Sequence, residues 1–123
     1  MFGSPERFLQ TPVWQEATEV AVAIFEMTQS LPRVEDDALT SQMRRSSNSI
    51  PANIAEAFGR YHRGNKLNFY YNARGSLCET FSHLHYAHQV GHLSQTQREV
   101  AFAKLDSVWR QLNQIIKRLR QAG

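Results

Sequence analysis

The chain predicts an all-α fold, an up-down-up-down antiparallel four-helix bundle. Three observations carry this. Apolar residues recur at spacings of three and four along four separate stretches, and no stretch alternates as a strand would. Residues that start or stop helices stand between those stretches: Thr11-Pro12, Leu31-Pro32, Gly59, Gly91 and Thr96-Gln97-Arg98-Glu99. The intervening segments are short, and short connections put consecutive helices side by side and antiparallel.

Each element has its own reason. Residues 1–10 read as a loose N-terminal tail, and 11–123 as the bundle. The first helix is expected over 12–31. Thr11 can cap it, Pro12 fits its first position, and Pro32 ends it by pushing Leu31 out of the α region. Its core stripe is Val13, Ala17, Val20, Ala21, Ile24, Met27 and Leu31. Residues 32–39 form an acidic loop. The second helix spans 40–58, with Met43, Ser47, Ile50, Ile54 and Phe58 on one face and a kink at Pro51. The third spans 65–90, capped by Asn65, with Leu67, Tyr70, Ala73, Leu77, Phe81, Leu84 and Ala87 inward. Gly91 suits the left-handed cap at its end. The fourth spans 95–121, starting near Ser94 or Thr96, with capping-box spacing at Thr96–Glu99. Its inward residues are Ala101, Leu105, Val108, Trp109, Leu112, Ile115, Ile116 and Leu119.

Composition narrows the class. At 123 residues the chain holds one domain, and 41% hydrophobic with 20% charged residues is ordinary for a globular protein. No run of about 18 apolar residues offers a membrane span. Met1 to Gln10 lacks the apolar block of a secretory signal, so the cytoplasm is the expected compartment. The single Cys78 forms no internal disulfide and is expected near the core. Charge is uneven: residues 1–43 hold two basic and seven acidic side chains, residues 44–123 twelve basic and four acidic. That asymmetry fits a polyanionic partner, and it fits pairing between subunits equally well.

The segment Leu39-Thr40-Ser41-Gln42-Met43-Arg44-Arg45, followed by Ser49-Ile50-Pro51-Ala52-Asn53-Ile54-Ala55-Glu56, resembles LTSQ-x-RR-x3-SIPANIAEG of the 23S rRNA-intervening-sequence proteins. Ala73-Arg74-Gly75-Ser76-Leu77-Cys78-Glu79 resembles that family's A-x-GSL-x-E on the third helix. Ala57 stands where the family usually has Gly, and Asp37-Ala38 replaces the usual Tyr-Gly. The resemblance implies a four-helix bundle that self-assembles, in some relatives as a ring of five, with a basic surface facing nucleic acid. Related proteins accompany diversity-generating retroelements.

Several clusters stand out as candidate sites. Arg45, Ser49, Asn53, Glu56 and Arg60 line the polar side of the second helix. They read as an oligomer interface or polar network, as a solvated face with a Glu56–Arg60 pair, or as phosphate contacts. Arg44, Arg45, Arg60, Arg63, Lys66 and Arg74, interleaved with Tyr61, His62, Phe69, Tyr70 and Tyr71, are the candidate nucleic-acid contacts. Arg98, Lys104, Arg110, Lys117 and Arg120 could extend them. His85, His88 and His92 share a helical face and are a weak candidate metal site, though no Asp or Glu lies beside them. Mid-helix Gly75 implies a close helix contact that offsets its cost.

No P-loop, dinucleotide fingerprint, Cys–His or Ser–His arrangement, or Glu-x-x-His pair is present, so no catalytic residue and no cofactor is expected. The reading is a non-enzymatic, self-assembling bundle that binds RNA or another nucleic acid through basic surfaces. The alternative is an oligomeric adaptor with a protein partner.

Overall fold

The computed structural model describes residues 3–122. Among them are four long helices and no strand: α1 (Pro12–Thr28), α2 (Ser41–Phe58), α3 (Arg63–Gln89) and α4 (Gln95–Gln121). No helix of the described residues is long and apolar enough to cross a membrane.

Cross-helix contacts fix the directions. Arg45 meets Glu79, Ser49 meets Ser76, and Lys66 meets Ala57, so positions climb on α2 as they fall on α3. Phe81 on Phe102 and Arg74 on Asn113 show the same for α3 and α4, and Thr28 with Arg44 pairs the end of α1 with the start of α2. Each helix packs on its sequence neighbours, and α4 closes the set against α1.

The core follows the expected stripes. Val13, Ala17, Val20 and Ile24 face Met43, Ile50 and Ile54, with Leu77, Leu84, Leu105, Val108 and Leu112 completing the interior. Full burial of each such side chain contributes about 1.5–3 kcal/mol. Phe81, Trp109 and Ile115 pack against this core half-buried.

Helix ends differ from expectation in specific ways. α1 stops at Thr28 rather than near Leu31, where the backbone tightens to three-residue turns: the Gln29 N–H reaches the Glu26 carbonyl and the Leu31 N–H the Thr28 carbonyl, both at 3.2 Å. The Thr11 hydroxyl also turns back, to the Phe8 carbonyl at 2.7 Å, and caps nothing, while Pro12 holds the first helical position. The tail is structured from Arg7: Arg7–Gln10 form a 3-10 turn, and the Phe8 ring packs edge-on against Trp14 and Phe58. The acidic loop is helical too, with a 3-10 turn at Arg33–Glu35 and a π turn at Asp36–Thr40 leading into α2.

Pro51 is buried inside α2, which continues through it. Its missing N–H leaves the Ser47 carbonyl without an i+4 donor, the local reason for expecting a bend there. α3 begins at Arg63, with His62 in the extended conformation before it, so Asn65 lies within the helix and does not cap it. Its other end is a Schellman motif: Gly91 takes φ +85°, its N–H reaches the His88 carbonyl, and the His92 N–H reaches the Ala87 carbonyl at 2.8 Å. α4 has a capping box, but Ser94 and Gln97 make it instead of Thr96 and Glu99.

Two further expectations fail. Gly75 is exposed, and a Cβ there would meet nothing within 4 Å, so no neighbour demands glycine. Cys78 is exposed as well, because it falls between the buried positions Leu77 and Thr80 on the outward side of α3.

Candidate nucleic-acid interface

The polar stripe of α2 lies against α3 as an intramolecular seam. Small side chains let the two helices approach, and their hydroxyls pair across the gap. Thr80 donates to Ser46 Oγ at 2.9 Å, and the Ser49 and Ser76 hydroxyls lie 2.9 Å apart. Asn53 Nδ2 donates to the Ser49 carbonyl at 2.8 Å and to its Oγ at 3.0 Å. Arg45 reaches Glu79 and Gln42, and Arg60 pairs with Glu56 on the helix surface at 3.2 Å. Glu79 also accepts from His83 Nε2 at 3.2 Å. Desolvation against the helix pair raises the Glu79 carboxyl, but the hydrogen bonds from His83 and Arg45, with their charges, outweigh it. The carboxyl sits below its ordinary value.

Ser46, Ser76, Glu79, Thr80 and His83 were absent from the sequence-derived set. Thr80 did carry a signal, since it follows Leu77 by three and precedes Leu84 by four on the buried stripe. Glu79 carried none that locates Arg45, because the two lie 34 positions apart.

The six candidate cations do not form one patch. Arg45 lies in the first turns of α2 and Arg60 two residues past its end at Phe58, so at least about 20 Å of helix separates them at 1.5 Å per residue. Arg44 is tied down beside α1, donating to Thr28 Oγ1 at 2.9 Å and lying 4.2 Å over the Phe25 ring. Lys66 turns inward: its ammonium donates to the Ala57 and Phe58 carbonyls at 3.0 and 3.3 Å, capping the C-terminal end of α2. Burial lowers its pKa from the usual lysine value. Arg60 lies over Phe69, and Arg74 lies over Tyr71 while donating to Asn113 Oδ1 at 2.8 Å. Arg63 is exposed. Tyr70 is half-buried, and burial raises its hydroxyl pKa.

The three histidines do not converge on a common point. His85 Nδ1 accepts from Arg98, His88 Nδ1 meets the Leu93 carbonyl at 3.1 Å, and His92 Nε2 meets Glu35 Oε2 at 3.0 Å. The Gly91 cap turns the chain between His88 and His92, so the sequence spacing no longer places them on one face. Among the described residues no group of three His, Cys, Asp or Glu could hold a metal ion.

The fold redistributes charge along the bundle axis. Cutting each helix at its midpoint, the end built from the starts of α1 and α3 and the finishes of α2 and α4 carries nine cations: Arg7, Arg60, Arg63, Lys66, Arg74, Arg110, Lys117, Arg118 and Arg120. It carries four acids: Glu6, Glu16, Glu19 and Glu56. The opposite end has five cations against seven acids, three of them consecutive at Glu35-Asp36-Asp37. At the basic end a cleft of ≈ 440 Å³ is lined by Arg74, Asn113, Ile116, Lys117, Arg120 and Gln121. The Arg74–Asn113 hydrogen bond forms one wall and fixes one guanidinium there. Asn113 and Arg118 are additions that the sequence reading did not make.

A family model described as 23S rRNA-intervening sequence protein matches residues 10–114. The chain is similar to a crystal structure of a protein of unknown function from the S23 ribosomal protein family of Bacteroides thetaiotaomicron. The two are 25% identical, with a TM-score of 0.77 over 85% of this chain and 98% of that one. No curated protein matches the chain.

Proposed function

We infer the role of this chain from the premise that it belongs to the 23S rRNA-intervening sequence protein family: it binds RNA or another nucleic acid through the basic end of the bundle. It does so without catalysis, as a self-assembling particle. The family's description names an intervening sequence of 23S rRNA and no ligand, so the charge of this chain is what supports a nucleic-acid partner. One observation carries the reading. The cleft between α3 and α4 gathers Arg74, Lys117 and Arg120 with no acidic residue in its lining. Phosphate oxygens are the natural ligands of such a set, because released counterions drive the association. Arg60 and Arg63 lie at the same end and lengthen the track.

Self-association is supported by the outer face of α1, where Val22 and Phe25 are 51% and 48% exposed beside Glu19 and Glu26. A closed ring repeats the basic end around an axis, so modest contacts on each subunit act together. A ring of five is the form the family resemblance implies.

The test is an anisotropy titration of labelled single-stranded RNA, between about 50 and 200 mM salt. Affinity is expected to fall steeply as salt rises. Absent or salt-independent binding would refute the reading. Light scattering behind size exclusion, with absorbance at two wavelengths, reads the assembly separately. A clean monomer would remove the ring and leave the RNA result to stand or fall alone.

A further inference from the structure

A second opening, ≈ 310 Å³, lies at the basic end. It differs in chemistry from the phosphate-type cleft, because its walls are largely apolar and aromatic. Phe8 and Phe58 stand edge to face, 6.0 Å between centroids, and Tyr70 contributes a third ring. Gln111, Gln114 and Arg118 supply polar groups to the lining, with Thr11, whose hydroxyl is spent on the Phe8 carbonyl. The Gln111 amide nitrogen is committed to Glu16, which leaves its carbonyl oxygen to face a ligand. No hydrogen bond ties down the Tyr70 hydroxyl or the Gln114 amide among the described residues.

We propose that this cleft receives one unstacked base of a single-stranded nucleic acid whose phosphates follow the adjacent cations. The inference rests on the nucleic-acid reading above and adds that the contact includes a base as well as backbone. Rings offer stacking or edge contacts to the base faces, and side-chain amides present the donor and acceptor pair that a base edge matches. Arg118, inside this cleft, adjoins Lys117 of the neighbouring one, about 100° round the same turn of α4. A strand lying over that turn can therefore place a phosphate on one side and its base on the other. An aliphatic carboxylate would also suit apolar walls and a single cation. Its hydrocarbon chain would offer nothing to the Tyr70 hydroxyl, the Gln111 carbonyl or the Gln114 amide, so a planar polar heterocycle fits better. Burial keeps the Tyr70 hydroxyl protonated and so a donor.

The test compares two labelled strands of equal length at fixed low salt, one single-stranded RNA and one abasic ribose-phosphate strand. Each is titrated into the wild-type chain and into Gln114→Trp. Gln114 is exposed on α4, so the large substituent fills the cleft without entering the core. The wild type is expected to prefer the base-bearing strand by about tenfold, the effect of one stacked base. Gln114→Trp should erase that preference and bind the abasic strand as the wild type does. Gln114→Ala, which leaves the cleft open, should keep it. Equal binding of the two strands by the wild type, or a preference that survives Gln114→Trp, would overturn the base site while leaving the phosphate surface intact. No binding of either strand would overturn the nucleic-acid reading itself, and this inference with it.

Discussion

Thr80 donates its hydroxyl proton to Ser46 across 2.9 Å, and neither residue has any solvent-exposed surface. The Ser76 carbonyl lies 2.8 Å from the same Thr80 oxygen, so one proton serves two acceptors. The pair sits where α2 and α3 approach closely, and it makes a polar contact where the bundle would otherwise be dry. Thr80→Val keeps the volume and removes the donor. It should cost about 1–3 kcal/mol in urea unfolding. The Ser46→Ala/Thr80→Val double variant should cost less than the two singles together, with a coupling of at least ~0.5 kcal/mol. Additive singles would mean that the hydroxyl pair contributes nothing specific.

Gly75 occupies the interior of α3 with open space where a Cβ would go. Gly75→Ala should therefore stabilise the chain by about 0.5–1 kcal/mol, visible as a higher melting temperature. A drop in stability would show that something crowds this position.

Glu79 links Arg45 to His83, and its carboxyl lies below the ordinary 4.5. A depressed carboxyl contributes stability that is fully present above the unfolded-state value and is lost as pH falls through the folded-state value. The wild type should thus weaken from just above pH 4.5 downward. Glu79→Gln should be less stable at neutral pH and lose less on acidification. Because the Glu79 side chain is 38% exposed, the difference should stay below about 1 kcal/mol. Urea midpoints across acidic pH check it, and identical pH profiles would rule out the linkage.

Lys66 and Lys117 should behave oppositely although both are lysines at the basic end. Lys66 is spent on the Ala57 and Phe58 carbonyls, so Lys66→Met should lower stability by about 1 kcal/mol and leave the salt dependence of RNA binding unchanged. Lys117 is exposed in the basic cleft, so Lys117→Met should leave stability unchanged and reduce the salt slope by about 0.7. Paired melting curves and salt titrations separate the two. A lower slope for Lys66→Met would place its ammonium on RNA instead of on the helix end.

The fold was legible because period and punctuation are local. Val13, Ala17, Val20 and Ile24 had to share a face of any helix containing them, and Gly91 had to tolerate the positive φ that ends α3. The cap of α4 was legible in kind and its box misplaced by two residues, since Ser94 and Thr96 are both plausible starts, and the structure uses Ser94, next to buried Leu93. Gly75 misled for a similar reason: a mid-helix glycine signals a close approach only if a neighbour is there to approach.

The sequence by itself determined the helices, their inward stripes, the family and the excess of positive charge, because each depends on residue type and spacing within one turn or two. It could not decide where that charge gathers. Arg74, Lys117 and Arg120 come together because α3 and α4 run antiparallel at one register, and that register is set by side chains meeting across helices. The same geometry turned Lys66 into a helix cap, separated His92 from His85 and His88, and brought Glu79 to Arg45. Local periodicity fixes which face a residue occupies, while only tertiary packing fixes what that face meets.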